Sequence, residues 1–158
     1  MDFQELTPAY DADLAIIIRH NLKAHQLDVP GNVYFDEGLE HLSSFYSADP
    51  LHRAYFIILQ EGRLVGGCGL AEIDVFENCA ELQKLYLDDS VKGHGLGYRL
   101  ISMVEERARE LGYRQIYLET HTNLQAAIHE YERSGYEQIE RPASVVHSTM
   151  NRFYLKAL

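Results

Sequence analysis

AELQKLYLDDSVKGHGLG, residues 80–97, is the stretch that decides the fold. Its first half reads as a strand: Leu82, Leu85, Tyr86 and Leu87 are apolar or aromatic, with no Gly or Pro among them. The chain then turns through Asp88, Asp89 and Ser90 into Lys92-Gly93-His94-Gly95-Leu96-Gly97. From there Leu96, Leu100, Val104, Ala108 and Leu111 recur at helical spacing. A glycine-rich turn thus joins a strand to the first turn of a helix. The first amides of a helix have no intrahelical partner and sit at the positive end of its dipole. Glycines let an anion approach them with no Cβ in the way. The loop from Lys92 to Gly97 therefore reads as an anion cradle, suited to a pyrophosphate. A glycine turn that serves packing alone is the competing reading of the loop in isolation.

Two common phosphate loops do not fit. A Walker loop needs Lys followed by Ser or Thr after its glycines, and none follows here. The dinucleotide fingerprint would need glycine where Leu100 stands after Gly95 and Gly97, and the strand comes too late for a first βαβ unit. The segment instead resembles the acyl-CoA-binding motif of the GNAT N-acetyltransferases, [RQ]-x-x-G-x-[GA] after a strand and a short turn. Lys92, Gly95 and Gly97 occupy its positions, with Lys for the usual Arg or Gln.

Downstream, Gln115–Thr120 reads as a strand and Asn123–Ser134 as a helix ending at Gly135. Tyr136–Glu140 and Arg152–Ala157 are the last strands, joined by a polar loop over Arg141–Asn151. Upstream, Phe3–Leu6 is a short strand. Thr7-Pro8 marks the start of a helix over 8–25, with Leu14, Ile17, Ile18 and Leu22 on one face. A loop over Gln26–Phe35 leads to a second helix over Asp36–Tyr46. Arg53–Leu59, Leu64–Val75 and Cys79–Leu87 make an antiparallel meander, with Glu61-Gly62 as its first turn. Gly66, Gly67 and Gly69 inside the middle strand signal a bulge or close approach by another backbone. The order is β-α-α-β-β-β-α-β-α-β-β, an α/β (α+β) mixed sheet of about seven strands flanked by four helices. It is also the order of the GNAT fold, so residues 1–158 are expected to form one domain of that type.

The formal net charge of −10 argues against nucleic acid and anionic membranes as partners. It mildly favours a cationic amine, although plain solubility also accounts for it. No apolar stretch approaches the roughly 20 residues that span a bilayer. The start carries no basic segment followed by an apolar run, so a cytoplasmic protein is the expectation. Cys68 and Cys79 lack metal-ligand spacing and fall in strands, as buried free thiols would. The eight histidines lack ligand-like pairing, so no metal is expected.

The resemblance implies an acetyl-CoA-dependent N-acetyltransferase. Its acceptor would be a primary amine of a small molecule, amino acid or peptide, attacking directly in a ternary complex. The strand Glu81–Leu87 would splay from Gln115–Thr120, with the pantetheine arm in the gap along Leu85, Tyr86 and Leu87. Lys92, Gly93, His94, Gly95, Leu96 and Gly97 would hold the diphosphate. Glu81 stands where several GNAT enzymes carry a general base, and alternation places it on one face with Gln83, Leu85 and Leu87. Glu72 and Asp74 on the neighbouring strand are alternative bases. Ala127-Ile128-His129-Glu130-Tyr131 through Gly135-Tyr136 resembles the family pattern A-I-x-x-Y-x-x-x-G-[FY]. Tyr131 would then point at the CoA sulfur; a phenol with a pKa of about 10 can protonate a leaving thiolate. Asn123 stands one residue early for a cofactor contact and suits an N-cap. The acceptor would meet Gln26–Glu37, with Tyr34, Phe35 and Asp36 as aromatic wall and carboxylate, the meander turn near Phe76, and the loop Arg141–Asn151 that carries His147. A homodimer stays open. So does a second function, an acyl-CoA-binding sensor or interaction module of the same fold without transfer.

Overall fold

The computed structural model describes residues 1–158. Eleven elements set the architecture: β1 Asp2–Glu5, α1 Asp11–Ala24, α2 Leu42–Ser47, β2 Ala54–Gln60, β3 Arg63–Ile73, β4 Cys79–Leu87, α3 Leu96–Glu110, β5 Gln115–Thr120, α4 Gln125–Arg133, β6 Glu137–Ile139 and β7 Arg152–Ala157. The seven strands form one sheet in the order β1-β2-β3-β4-β5-β7-β6. All neighbours are antiparallel except β4 and β5. No helix is long and apolar enough to cross a membrane.

The sheet is buried on both faces. On one, Leu100, Ile101, Val104 and Ala108 of α3 pack with Phe56, Ile58, Val65, Leu70, Leu82 and Leu118. On the other, Leu14, Ile17, Ile18 and Leu22 of α1 pack with Tyr55, Ile57 and Leu59. The two apolar stripes spaced for helices thus cover opposite sides of β2–β4. The β2–β3 turn is tight because Glu61 and Gly62 both take positive φ, 51° and 78°, the geometry a two-residue hairpin requires.

The expected helix over Asp36–Tyr46 is broken in two. Glu37–His41 is a 3-10 turn, and the α-helix begins only at Leu42, after His41 at φ −135°, ψ 34°. The second piece is capped from outside: the Ser43 N–H donates to Asp11 Oδ1 at 2.9 Å. A carboxylate from the start of α1 satisfies an amide that a continuous helix would have used internally.

The glycines of β3 sit at the expected bulge, where the register with β4 shifts between Gly67 and Gly69. They also sit at close backbone approaches: Tyr86 O, Phe56 O and Ala54 O stand 3.0, 2.9 and 2.8 Å from where Cβ atoms on Gly66, Gly67 and Gly69 would be. They make room for a side chain as well. Tyr55 lies flat across them: a Cβ on Gly67 would stand 2.5 Å from Tyr55 Cε1, and one on Gly69 2.5 Å from Tyr55 Cδ2. Gly67→Ala is therefore expected to lower stability by about 1–3 kcal/mol, because Phe56 O also stands 2.9 Å from the new methyl and backbone yields poorly. A lower urea midpoint at unchanged slope would show it.

Candidate active site

The ring that Gly67 and Gly69 accommodate reaches into β4. Tyr55 Oη donates to Lys84 O at 2.7 Å, and Lys84 sits at φ 53°, in the left-handed region. Here β4 carries one extra residue: Gly69 pairs with Gln83, but Gly67 pairs with Tyr86. The strand is bulged, and its alternation resets. Ala80, Leu82, Leu85 and Leu87 all face the α3 side, while Tyr86 faces α1. Glu81 and Gln83 therefore face away from Leu85 and Leu87, contrary to the simple alternation read from sequence.

β4 and β5 pair over three rungs only, Cys79–Gln115, Ala80–Ile116 and Glu81–Tyr117. Beyond Glu81 the two strands part. A cavity of about 460 Å³ opens there. Glu81, Leu85, Tyr86, Leu87, Lys92, Gly93 and Tyr131 all line it. His94, Gly95, Leu96 and Gly97 continue the loop from its edge into α3. Gly93 and Gly95 take φ 81° and 77°, and nothing stands within 4 Å of where their Cβ atoms would be. The amides from Gly93 to Tyr98 donate to no backbone acceptor; the first bond after the loop is Arg99 N–H to Gly95 O at 3.3 Å. No side chain caps α3. Six consecutive donors are thus left free at a helix start, which suits an anion.

Lys92 does not aim at that cradle with its side chain. Its ammonium donates to Asn21 Oδ1 and Asp89 Oδ1, each at 2.7 Å. Lys92, then His20, hold the Asp89 carboxyl down at about 2. Asn21 also donates to Ile17 O at 2.9 Å and Leu87 O at 3.0 Å. One amide thus ties α1 to the end of β4 and to the glycine loop. Sequence reasoning missed it, although its signal was visible: a polar residue on the buried stripe Ile17, Ile18, Leu22.

Tyr131 is buried, and its ring packs against Tyr136 and Tyr154 at 6.0 and 6.5 Å between centroids. Its hydroxyl makes no hydrogen bond within the protein, and burial holds it protonated far above the usual phenol range. One residue earlier, Glu130 presents a buried, unpartnered carboxylate oxygen. That carboxylate lies directly against Gly97, where a Cβ would stand. Burial raises the Glu130 pKa. A charge here opposes any anion at the adjacent amides. Glu130→Gln is expected to tighten coenzyme A binding about tenfold at neutral pH. The wild type should gain affinity as pH falls through the raised Glu130 pKa, because protonation removes the charge. The variant should lose that part of the pH dependence, which titration calorimetry across pH would show.

The other lining residues are polar. Glu81 is half-buried; Gln83 Nε2 donates to its Oε1 at 2.6 Å, and Tyr46 Oη donates to Gln83 Oε1 at 2.7 Å. Burial raises the Glu81 pKa, Gln83 opposes that, Glu119 adds to it and Lys84 opposes it. Glu119, across the split on β5, accepts from Tyr117 Oη at 2.8 Å and Ser148 Oγ at 2.7 Å. His147 and Asp36 line the cavity as well. Tyr34 and Phe35 do not; Phe35 is exposed. The alternative bases fall away: Glu72 is exposed and paired with Arg53 at 2.6 Å, and Asp74 is exposed outside the cavity. Asn123 does not cap α4, which starts at Gln125; its side chain donates to His25 O at 2.9 Å. Glu119 and Lys84 had no local signal, since the split and the bulge bring them to the cavity.

The sequence profile described as the Acetyltransferase (GNAT) family matches residues 20–136. The Escherichia coli (strain K12) protein described as uncharacterized N-acetyltransferase YjgM is 40% identical over 111 residues, 70% of this chain. The matched stretch spans 65% of that relative's length, just under two thirds. A GNAT-family acetyltransferase from Staphylococcus aureus Mu50 superposes with a TM-score of 0.84 at 22% identity, over 99% of this chain and 98% of its own. The PaiA N-acetyltransferase of Thermoplasma acidophilum, in complex with coenzyme A, gives 0.78 at 16% identity over 99% and 98%. At such identities the two structures speak for the fold alone.

Proposed function

The chain belongs to the acetyltransferase (GNAT) family, and from that membership we propose that it moves an acetyl group from acetyl-CoA to a primary amine by direct attack in a ternary complex. The observation that carries the reading is the run of free amides, Gly93 to Tyr98, at the edge of the cavity where β4 and β5 part. Those donors suit a diphosphate. The split suits an extended arm running along Leu85, Tyr86 and Leu87. The relative from T. acidophilum, which has the same fold, is in complex with coenzyme A.

Acetyl-CoA supplies the thioester. The amine nitrogen attacks its carbonyl carbon, the C–N bond forms and the C–S bond breaks. Glu81 takes the proton from the amine, directly or through one water. Its burial moves the carboxyl toward the working pH, where a base is most effective. Tyr131, held protonated, gives its proton to the departing sulfur. No cysteine lines the cavity: Cys68 and Cys79 are both buried elsewhere in the sheet. A covalent acyl-enzyme on cysteine has no nucleophile here.

The test is release of free thiol from acetyl-CoA across a panel of amines, amino acids and peptides, paired with a thermal shift by acetyl-CoA alone. Turnover with any amine supports transfer. A thermal shift without turnover on any amine would make the protein a binding module. No shift at millimolar acetyl-CoA would overturn both.

A further inference from the structure

We infer that the acceptor is an amino acid or a similar small amine bearing a carboxylate, and that Lys84 holds that carboxylate. This deepens the acetyl-transfer reading and rests on it. Two lysines line the cavity. Lys92 spends its ammonium on Asn21 and Asp89. The Lys84 ammonium makes no hydrogen bond and no ion pair, although the residue is half-buried. The other half-buried cations are satisfied, Arg53 by Glu72, Arg107 by Glu5 and Lys156 by Glu105, whereas unpaired ones such as Lys23 and Arg114 are exposed. An ammonium withdrawn from water without a partner costs free energy that an anionic ligand recovers.

The backbone of Lys84 is also fixed. It is the bulged residue of β4, at φ 53°, with its carbonyl pinned by Tyr55 Oη at 2.7 Å. A cation anchored on such a rigid backbone point reaches a limited part of the cavity, so it selects by place as well as by charge. Burial pulls its pKa down, while Asp36 and Glu81 support the charged form. The same cavity offers carboxylates for the amine end of the ligand. Glu81 keeps one oxygen without a protein partner, and Glu119 faces it from β5. Acidic groups around one cation match a molecule carrying both charges, and they match a simple polyamine poorly.

The experiment compares amino acids with the amines obtained by removing their carboxylate, as acceptors for the wild type, Lys84→Met and Lys84→Arg. In at least one pair the wild type should favour the amino acid by about tenfold or more in kcat/KM. Lys84→Met should cut that ratio by roughly 10–100-fold, chiefly through KM for the amino acid. Lys84→Arg should restore most of it, because a guanidinium also binds carboxylate. Preference for the decarboxylated amine in every pair would overturn the inference and leave acetyl transfer standing. So would a ratio that Lys84→Met changes less than about twofold. Lack of turnover with every member of this panel would overturn the inference, and acetyl transfer falls with it only if the wider panel of amines and peptides also gives no turnover.

Discussion

Gly95→Glu is expected to abolish the thermal stabilisation that acetyl-CoA should give the wild-type protein. Gly95 is the N-cap of α3 at φ 77°, with open space around its missing Cβ. Any side chain placed there incurs left-handed strain of about 1–2 kcal/mol. A glutamate adds a carboxylate beside the six amides that the structure leaves unpaired. It competes for those donors and repels the incoming diphosphate, so affinity should fall by roughly 100-fold or more. Gly112→Glu is the matching control. Gly112 ends the same helix at φ 90°, also in open space, and suffers the same strain without touching the loop. It should melt lower than the wild type yet keep its shift with acetyl-CoA. An undiminished shift in Gly95→Glu would remove the diphosphate from this loop.

The second large effect is on chemistry. Tyr131→Phe should lower kcat by about 10²- to 10⁴-fold and leave the dissociation constant of acetyl-CoA within about twofold. The structure makes this a clean test. The Tyr131 hydroxyl has no partner within the protein, so its loss strands no donor or acceptor. The ring keeps its packing against Tyr136 and Tyr154, and stability should stay within about 0.5 kcal/mol of the wild type. A slow variant of normal stability and normal cofactor affinity identifies a proton donor. A variant as fast as the wild type would show that the thiolate leaves without help from this residue.

What sequence revealed follows from how local each signal was. The glycine loop and the stripe of α3 depend on neighbours a few residues apart, and they were legible; the β4–β5 neighbourhood came from the family resemblance. The bulge at Lys84 was not. KLYL reads as continuous strand, and a left-handed lysine is unfavourable by itself. It stands because a phenol from β2 fixes its carbonyl, and that phenol fits because β3 has glycines opposite it. Three strands must be in place before the irregularity makes sense. The same holds for α2, whose cap comes from Asp11 on another helix. Glu119 carries no mark in its own segment; only the parting of two strands brings it to the cavity.

Asn21 carries a further implication for protein engineering. Its one side chain joins three pieces of chain, through Ile17 O, Leu87 O and the Lys92 ammonium. A chimera that imported the first helix from a relative without this amide would leave Lys92 and the last carbonyl of β4 searching for substitutes. An aspartate in its place would set an acceptor against an acceptor at Leu87. Exchanging the amino-terminal third must therefore transplant this three-way joint with it, or the swap will disturb the end of β4 and the glycine loop as well.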